Sequence, residues 1–112
     1  MTPEQEKEYN LKCAEFMWPD IHTDDLSDSF DSGVLVFLTE GKIMFNPATD
    51  MNDKAKVIEK MKLDVYWWSS SQIWGCQQFN EEGESVIDIA DKSRTKAIDK
   101  CICAVLGIKA GL

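Results

Sequence analysis

Phe45–Met61, FNPATDMNDKAKVIEKM, is the stretch on which the fold of this chain turns. Asn46-Pro47 predicts an extended entry, because the proline ring pushes the residue before it out of the helical region. Thr49 and Asp50 are both good helix caps, so a helix should start at one of them and run to about Lys62. Met51, Ala55, Ile58 and Met61 recur on one side of that helix, flanked by Val57, while Lys56, Glu59 and Lys60 face water.

Working downstream, three strands are expected over Leu63–Ser69, Gln72–Phe79 and Ser85–Ala90. The first turn uses Ser69-Ser70-Ser71 and the second runs from Asn80 to Glu84 around Gly83. In the first strand Leu63, Val65 and Trp67 point one way, and Tyr66 and Trp68 the other. Both faces are apolar and ask for cover on both sides of the sheet. A last helix is predicted from about Ser93 to Leu106, stopped by Gly107. Ala97, Ile98, Cys101, Ile102, Ala104 and Val105 make its apolar face, and Cys103 falls with Lys96, Asp99 and Lys100 on the wet side.

Working upstream, Thr2-Pro3-Glu4-Gln5 is a capping box with proline at the first helical position, predicting a helix from about Pro3 to Trp18. Tyr9, Leu11, Cys13, Ala14, Phe16, Met17 and Trp18 cover more than half of its circumference. Only Glu8, Lys12 and Glu15 form a wet face. So wide a stripe implies deep burial or contact with a second subunit, and a homodimer or larger assembly is expected. Pro19 ends the helix. Asp20 to Gly33 reads as a solvated polar loop, since its acids lack the alternation and central glycine of a calcium-binding loop. Val34–Leu38 and Lys42–Phe45 then read as a short hairpin turning at Glu40-Gly41.

These elements add up to an α/β fold: an α-β-α layered sandwich with an antiparallel three-stranded meander, a short hairpin and helices on both faces. Residues 1–112 are expected to form a single domain. The block FNPATDMNDKAKVIEKM, the aromatic strand VYWW, the strand centred on Trp74, SVIDIAD and the closing TKAIDKCICAVLG together resemble the phage ABA-sandwich domain family. The likeness covers roughly residues 45–107 of these small bacteriophage and prophage proteins. Leu11 to Trp18 is similar to a divergent version of the family's opening helix, in which a glycine usually separates the Met and Trp adjacent here. The resemblance implies a fold and a phage setting. It implies no activity, because that family is a structural grouping without a common chemistry.

Charge excludes some functions. The net charge is -8, and residues 1–31 hold nine acids against Lys7 and Lys12, which is -7. The remaining 81 residues hold eleven acids and ten bases. A basic stripe for a phosphate backbone is absent, so direct nucleic-acid binding is disfavoured. The polar start MTPEQEKEYN is no secretory signal, and the run Val34 to Leu38 is too short to cross a bilayer. Host cytoplasm is the expected location, with no membrane partner. In that reducing setting Cys13, Cys76, Cys101 and Cys103 read as small buried hydrophobes.

Catalytic and metal signatures are missing. Cys101 and Cys103 sit about 200° apart on a helix and cannot share one tetrahedral ion. The only histidine, His22, lies in the acidic loop, and no glycine-rich phosphate loop or G-x-S-x-G motif occurs. No metal, no cofactor and no enzymatic role are expected.

Two features remain as candidate binding groups. Tyr66, Trp67, Trp68 and Trp74 lie on neighbouring strands; core packing is the plainer account, yet so many large rings are hard to bury in a small domain. Asp91-Lys92-Ser93-Arg94-Thr95-Lys96 places three cations, including the only arginine, where a helix start normally favours acids. A hydrophilic cap whose cations pair with nearby acids is the plainer reading. An anion site built from helix N–H groups, Lys92, Ser93, Arg94 and Thr95, with Tyr66, Trp68 or Trp74 as stacking partner, is the sharper one. It predicts an accessory protein of counter-defence type that sequesters a small anionic, nucleotide-like ligand. The alternative is an acidic inhibitor or adaptor of a host protein, which could act as a DNA mimic.

Overall fold

Thr2 and Gln5 close the predicted capping box: the Gln5 N–H donates to the Thr2 hydroxyl at 3.2 Å, and the Thr2 N–H donates to Gln5 Oε1 at 2.8 Å. Helix α1 follows over Pro3–Met17. The computed structural model describes residues 1–28 and 32–108. The chain divides into two compact units, Met1–Val57 and a second that begins at Ile58. Among the described residues there are three α-helices and two three-stranded antiparallel sheets, the mixed α/β class expected from the sequence.

In the first unit a single 3₁₀ turn over Thr23–Asp25 leads into β1 (Leu26–Asp28), β2 (Val34–Leu38) and β3 (Gly41–Phe45), with sheet order β1-β2-β3. The β2–β3 hairpin sits where expected, and Gly41 takes a φ of +138° that a side chain would rarely adopt. Strand β1 corrects the expectation of a loop from Asp20 to Gly33. Leu26 pairs with Val36 and Asp28 with Val34, while residues 29–31 of that stretch lie outside the described residues. One leucine among serines and acids leaves no period to read, and the partner strand supplies the register. Val34, Val36 and Phe45 are buried, and α1 packs against β2.

Asn10 organises this unit. It is completely buried on α1, where it donates to the Ser32 carbonyl at 2.9 Å and to Asn46 Oδ1 at 2.8 Å. Its own oxygen accepts from the Ala48 N–H at 2.9 Å. The Asn46 N–H in turn donates to Asp53 Oδ2 at 2.9 Å. The Asn-Pro entry is thus tied to the first helix on one side and to the second on the other.

That second tie explains a correction. Helix α2 (Met51–Met61) is capped by Asp50, whose Oδ1 accepts from the N–H groups of Asn52 and Asp53. Lys56, Glu59 and Lys60 are exposed as expected. The apolar stripe is rotated, however: Met51 is 48% exposed and Ala55 is exposed, while Asp53, Lys54, Val57 and Met61 are buried. The Asn46–Asp53 hydrogen bond turns the Asp53 side inward, and the neighbouring Lys54 is buried with it.

The second unit holds β4 (Leu63–Trp68), β5 (Ile73–Phe79), β6 (Ser85–Asp91) and α3 (Arg94–Leu106), in sheet order β4-β5-β6. Lys62 and Gln72 sit in the left-handed region, at φ +57° and +52°, and turn the chain tightly into β4 and β5. Helix α3 packs on β5 and β6. Ser93 caps its start and Gly107, at φ +71°, its end. Ala97, Ile98, Cys101 and Ile102 are fully buried, whereas Ile58 and Val105, expected in the core, are half-buried. Cys103 and Asp99, expected on the wet face, are each only 5% exposed. The Ile108 N–H donates to the Cys103 carbonyl at 3.0 Å, closing the end of the helix.

Candidate functional site

Residues of β4, β5 and the start of α3 converge on one row of the second sheet. Trp67 on β4 lies directly opposite Trp74 on β5, and Trp74 lies opposite Asp91 on β6. The two indoles are 5.1 Å apart, tilted by 54°. The chain leaves β6 at Asp91, turns, and enters α3 at Arg94, which brings the guanidinium carbon 5.7 Å from the centre of the Trp74 ring. That is cation–π distance, and it orients a side chain that is otherwise exposed.

The turn itself is held by Asp91. Its carboxylate accepts from the Ser93 N–H at 2.8 Å and from Lys100 Nζ at 2.7 Å. The Lys100 ammonium, followed by the Ser93 N–H, holds its pKa below the usual carboxylate value. Ser93 spends its hydroxyl as the cap, accepting from the Lys96 N–H at 3.3 Å. The N–H groups of Arg94 and Thr95 have no partner within the helix, as at any helix start. Residues 91–100 carry four bases and two acids, so this segment is net +2 in a chain of net -8. With Asp91 engaged by Lys100, the exposed charge of Lys92, Arg94 and Lys96 is cationic.

Sequence reasoning grouped Arg94 with Tyr66, Trp68 or Trp74. The structure brings Trp74 to it and adds Trp67. Tyr66 and Trp68 are not brought there, because strand alternation puts them on the opposite face of the sheet. Tyr66 has a task of its own. Its ring lies over Gly75, where a Cβ would overlap it, and its hydroxyl donates to Asp88 Oδ1 at 3.0 Å. Burial first, and then Asp88, raises the phenol pKa. Trp68 is 55% exposed on that side. Trp67 belonged in the group by its register with Trp74, which only the turn at Gln72 fixes.

All four cysteines are buried and unbridged. Cys76 lies beneath α3, and the hydrogen bond it shares with Cys101, together with burial, pushes its pKa well above the ordinary thiol value. Among the described residues no three or more of His, Cys, Asp and Glu gather in a way that could hold a metal ion. No helix among them is long and apolar enough to cross a membrane.

No protein-family model matches this chain, and no curated protein sequence does. Among solved structures the chain is similar to a phage protein from Bacillus cereus ATCC 14579, determined by crystallography at 2.0 Å. The TM-score is 0.56 at 16% sequence identity, over 97% of this chain and 91% of that one. At this identity the likeness is one of fold. The resemblance read over residues 45–107 thus has a phage protein of similar fold beside it, without a family model behind it.

Proposed function

We propose that this chain is a non-catalytic phage accessory protein of counter-defence type, which sequesters a small anionic, nucleotide-like ligand in the host cytoplasm as a homodimer or larger assembly. The phage setting rests on the fold shared with a phage protein. One observation carries the binding reading: Arg94 is held over Trp74, which packs against a Trp67 that is still 48% exposed. An aromatic base stacks on the free part of the Trp67 indole, and a phosphate meets the Arg94 guanidinium and the N–H groups of the first turn of α3. Lys92 and Thr95 border the same turn and add a charge and a hydroxyl.

Thermal denaturation with a panel of nucleoside mono-, di- and cyclic dinucleotides tests the reading. A ligand present at 100 times its dissociation constant adds about 2.7 kcal/mol to stability and raises the melting temperature. Arg94→Glu should remove that shift and leave the free protein's melting temperature nearly unchanged, since the side chain is exposed. Trp67→Ala should remove it too, at a lower melting temperature because half of the indole packs on Trp74. A shift that survives both substitutions places the ligand elsewhere.

A further inference from the structure

The first unit contains a cleft of about 590 Å³ that no sequence feature announced. Trp18, Ile21, Phe37 and Leu38 supply its apolar walls, and Asp20 and Asp25 its charge. It opens where α1 ends, at the negative pole of the helix dipole, and no base in the last turn of α1 offsets that pole. The walls are held from behind. The Trp18 ring meets Phe45 edge-on at 5.1 Å and 81°, and Phe45 is buried at the end of β3. Phe37 leaves 43% of its surface exposed toward solvent. The volume falls in the range of pockets that enclose a ligand, about 300–1,000 Å³.

A lining of aromatic faces and carboxylates without a single base selects a cation on an apolar stem. An anion would meet both aspartates and the helix carbonyls, so this cleft and the Arg94 row take opposite charges. The acidity also extends beyond the cleft: residues 1–31 are net -7, a field suited to a whole basic surface more than to one small ion. We propose that this cleft is a docking site for a lysine or arginine side chain carried on an apolar segment of a partner protein. The inference goes beyond the anionic-ligand reading and does not depend on it.

Nuclear magnetic resonance with the full chain and two capped peptides tests it, one alternating leucine and arginine, the other alternating leucine and glutamate. The arginine peptide should shift the Trp18 indole and the amides of Ile21 and Leu38, and its affinity should fall as salt rises. The glutamate peptide should leave these signals in place. Asp20→Asn combined with Asp25→Asn should weaken the arginine peptide by about tenfold or more, as should Phe37→Ala, with an otherwise unchanged spectrum. Arg94→Glu should bind it as well as the original protein. Shifts confined to other residues, equal binding of the two peptides, or undiminished binding by the aspartate double variant would each overturn the assignment.

Discussion

The two units hold themselves together by different means. In the first, polar side chains sit in the core: Asn10, Asn46, Asp53 and Lys54 are buried, and Asn10 alone ties Ser32, Asn46 and Ala48 together. In the second, the core between sheet and helix is mainly apolar and sulfur-lined, built from Cys76, Ala97, Ile98, Cys101 and Ile102, although Asp99 is buried on the same helix. Its side-chain polar pairs Tyr66 with Asp88 and Gln77 with Asp64 lie at exposed positions of the sheet, and Asp91 with Lys100 is half-buried at the start of α3. Directed bonds in a low-dielectric interior fix where irregular chain must go, whereas apolar packing fixes only that surfaces meet. The first unit, with short strands and long connections, needs the former. The second, a meander with short turns, has its register set by turns and alternation and needs mainly area.

Ile102→Ala should break the second unit hardest, by about 2–5 kcal/mol, because it removes a fully buried side chain and leaves a cavity. Urea denaturation measures this directly. Asn10→Ala comes next, at about 3 kcal/mol, since it removes three buried or part-buried hydrogen bonds at once, to the Ser32 carbonyl, the Asn46 amide oxygen and the Ala48 N–H. A cost below about 1 kcal/mol for Asn10→Ala would mean that water replaces it and that the contrast between the units is false. Gly75→Ala should cost about 1–3 kcal/mol through overpacking against the Tyr66 ring. In a Tyr66→Ala background that cost should vanish, and in Gly75→Ala alone the Tyr66 phenol should titrate nearer its ordinary value.

The smallest effect concerns the latch at the start of α3. The Asp91 pKa is lowered in the folded protein, so its pairing with Lys100 stabilises the fold above the carboxylate's ordinary pKa, about 3.9. That contribution is lost as pH falls through the lowered value. Asp91→Asn should therefore flatten the acid limb by lowering stability modestly at neutral pH, and leave stability below the lowered pKa little changed. An acid limb identical to that of the original protein would show that Asp91 is not a latch.

Much of the fold was legible because it obeys local rules. The capping box at Thr2, the glycine turn at Gly41, the serine cap and glycine stop of α3, and the two-residue alternation of β4 are each decided within a few residues. What was not legible depends on distant partners. Asn10 reads as a polar position until Asn46 and Ala48 are beside it. Val57 replaces Met51 and Ala55 in the core because Asp53 bonds Asn46. Cys103 and Asp99 are buried although the helical period sets them with Lys96 and Lys100. At the candidate site the cations were visible as a departure from the usual helix-start composition, and Trp74 as one of several rings. Choosing Trp67 over Trp68 needed the register of β4 with β5, and the cleft beside Trp18 needed three separate segments brought together.

Native mass spectrometry of the protein recovered from its own host cells tests the central claim, that the Arg94 row holds an anionic ligand, in one spectrum. The account predicts a dimer or larger assembly carrying one nucleotide-sized mass per chain, released as an anion on activation. The Arg94→Glu protein, recovered in the same way, should show the same assembly with that mass gone. An original protein that arrives bare from cells making nucleotide signals, or an Arg94→Glu protein that keeps the bound mass, would contradict it.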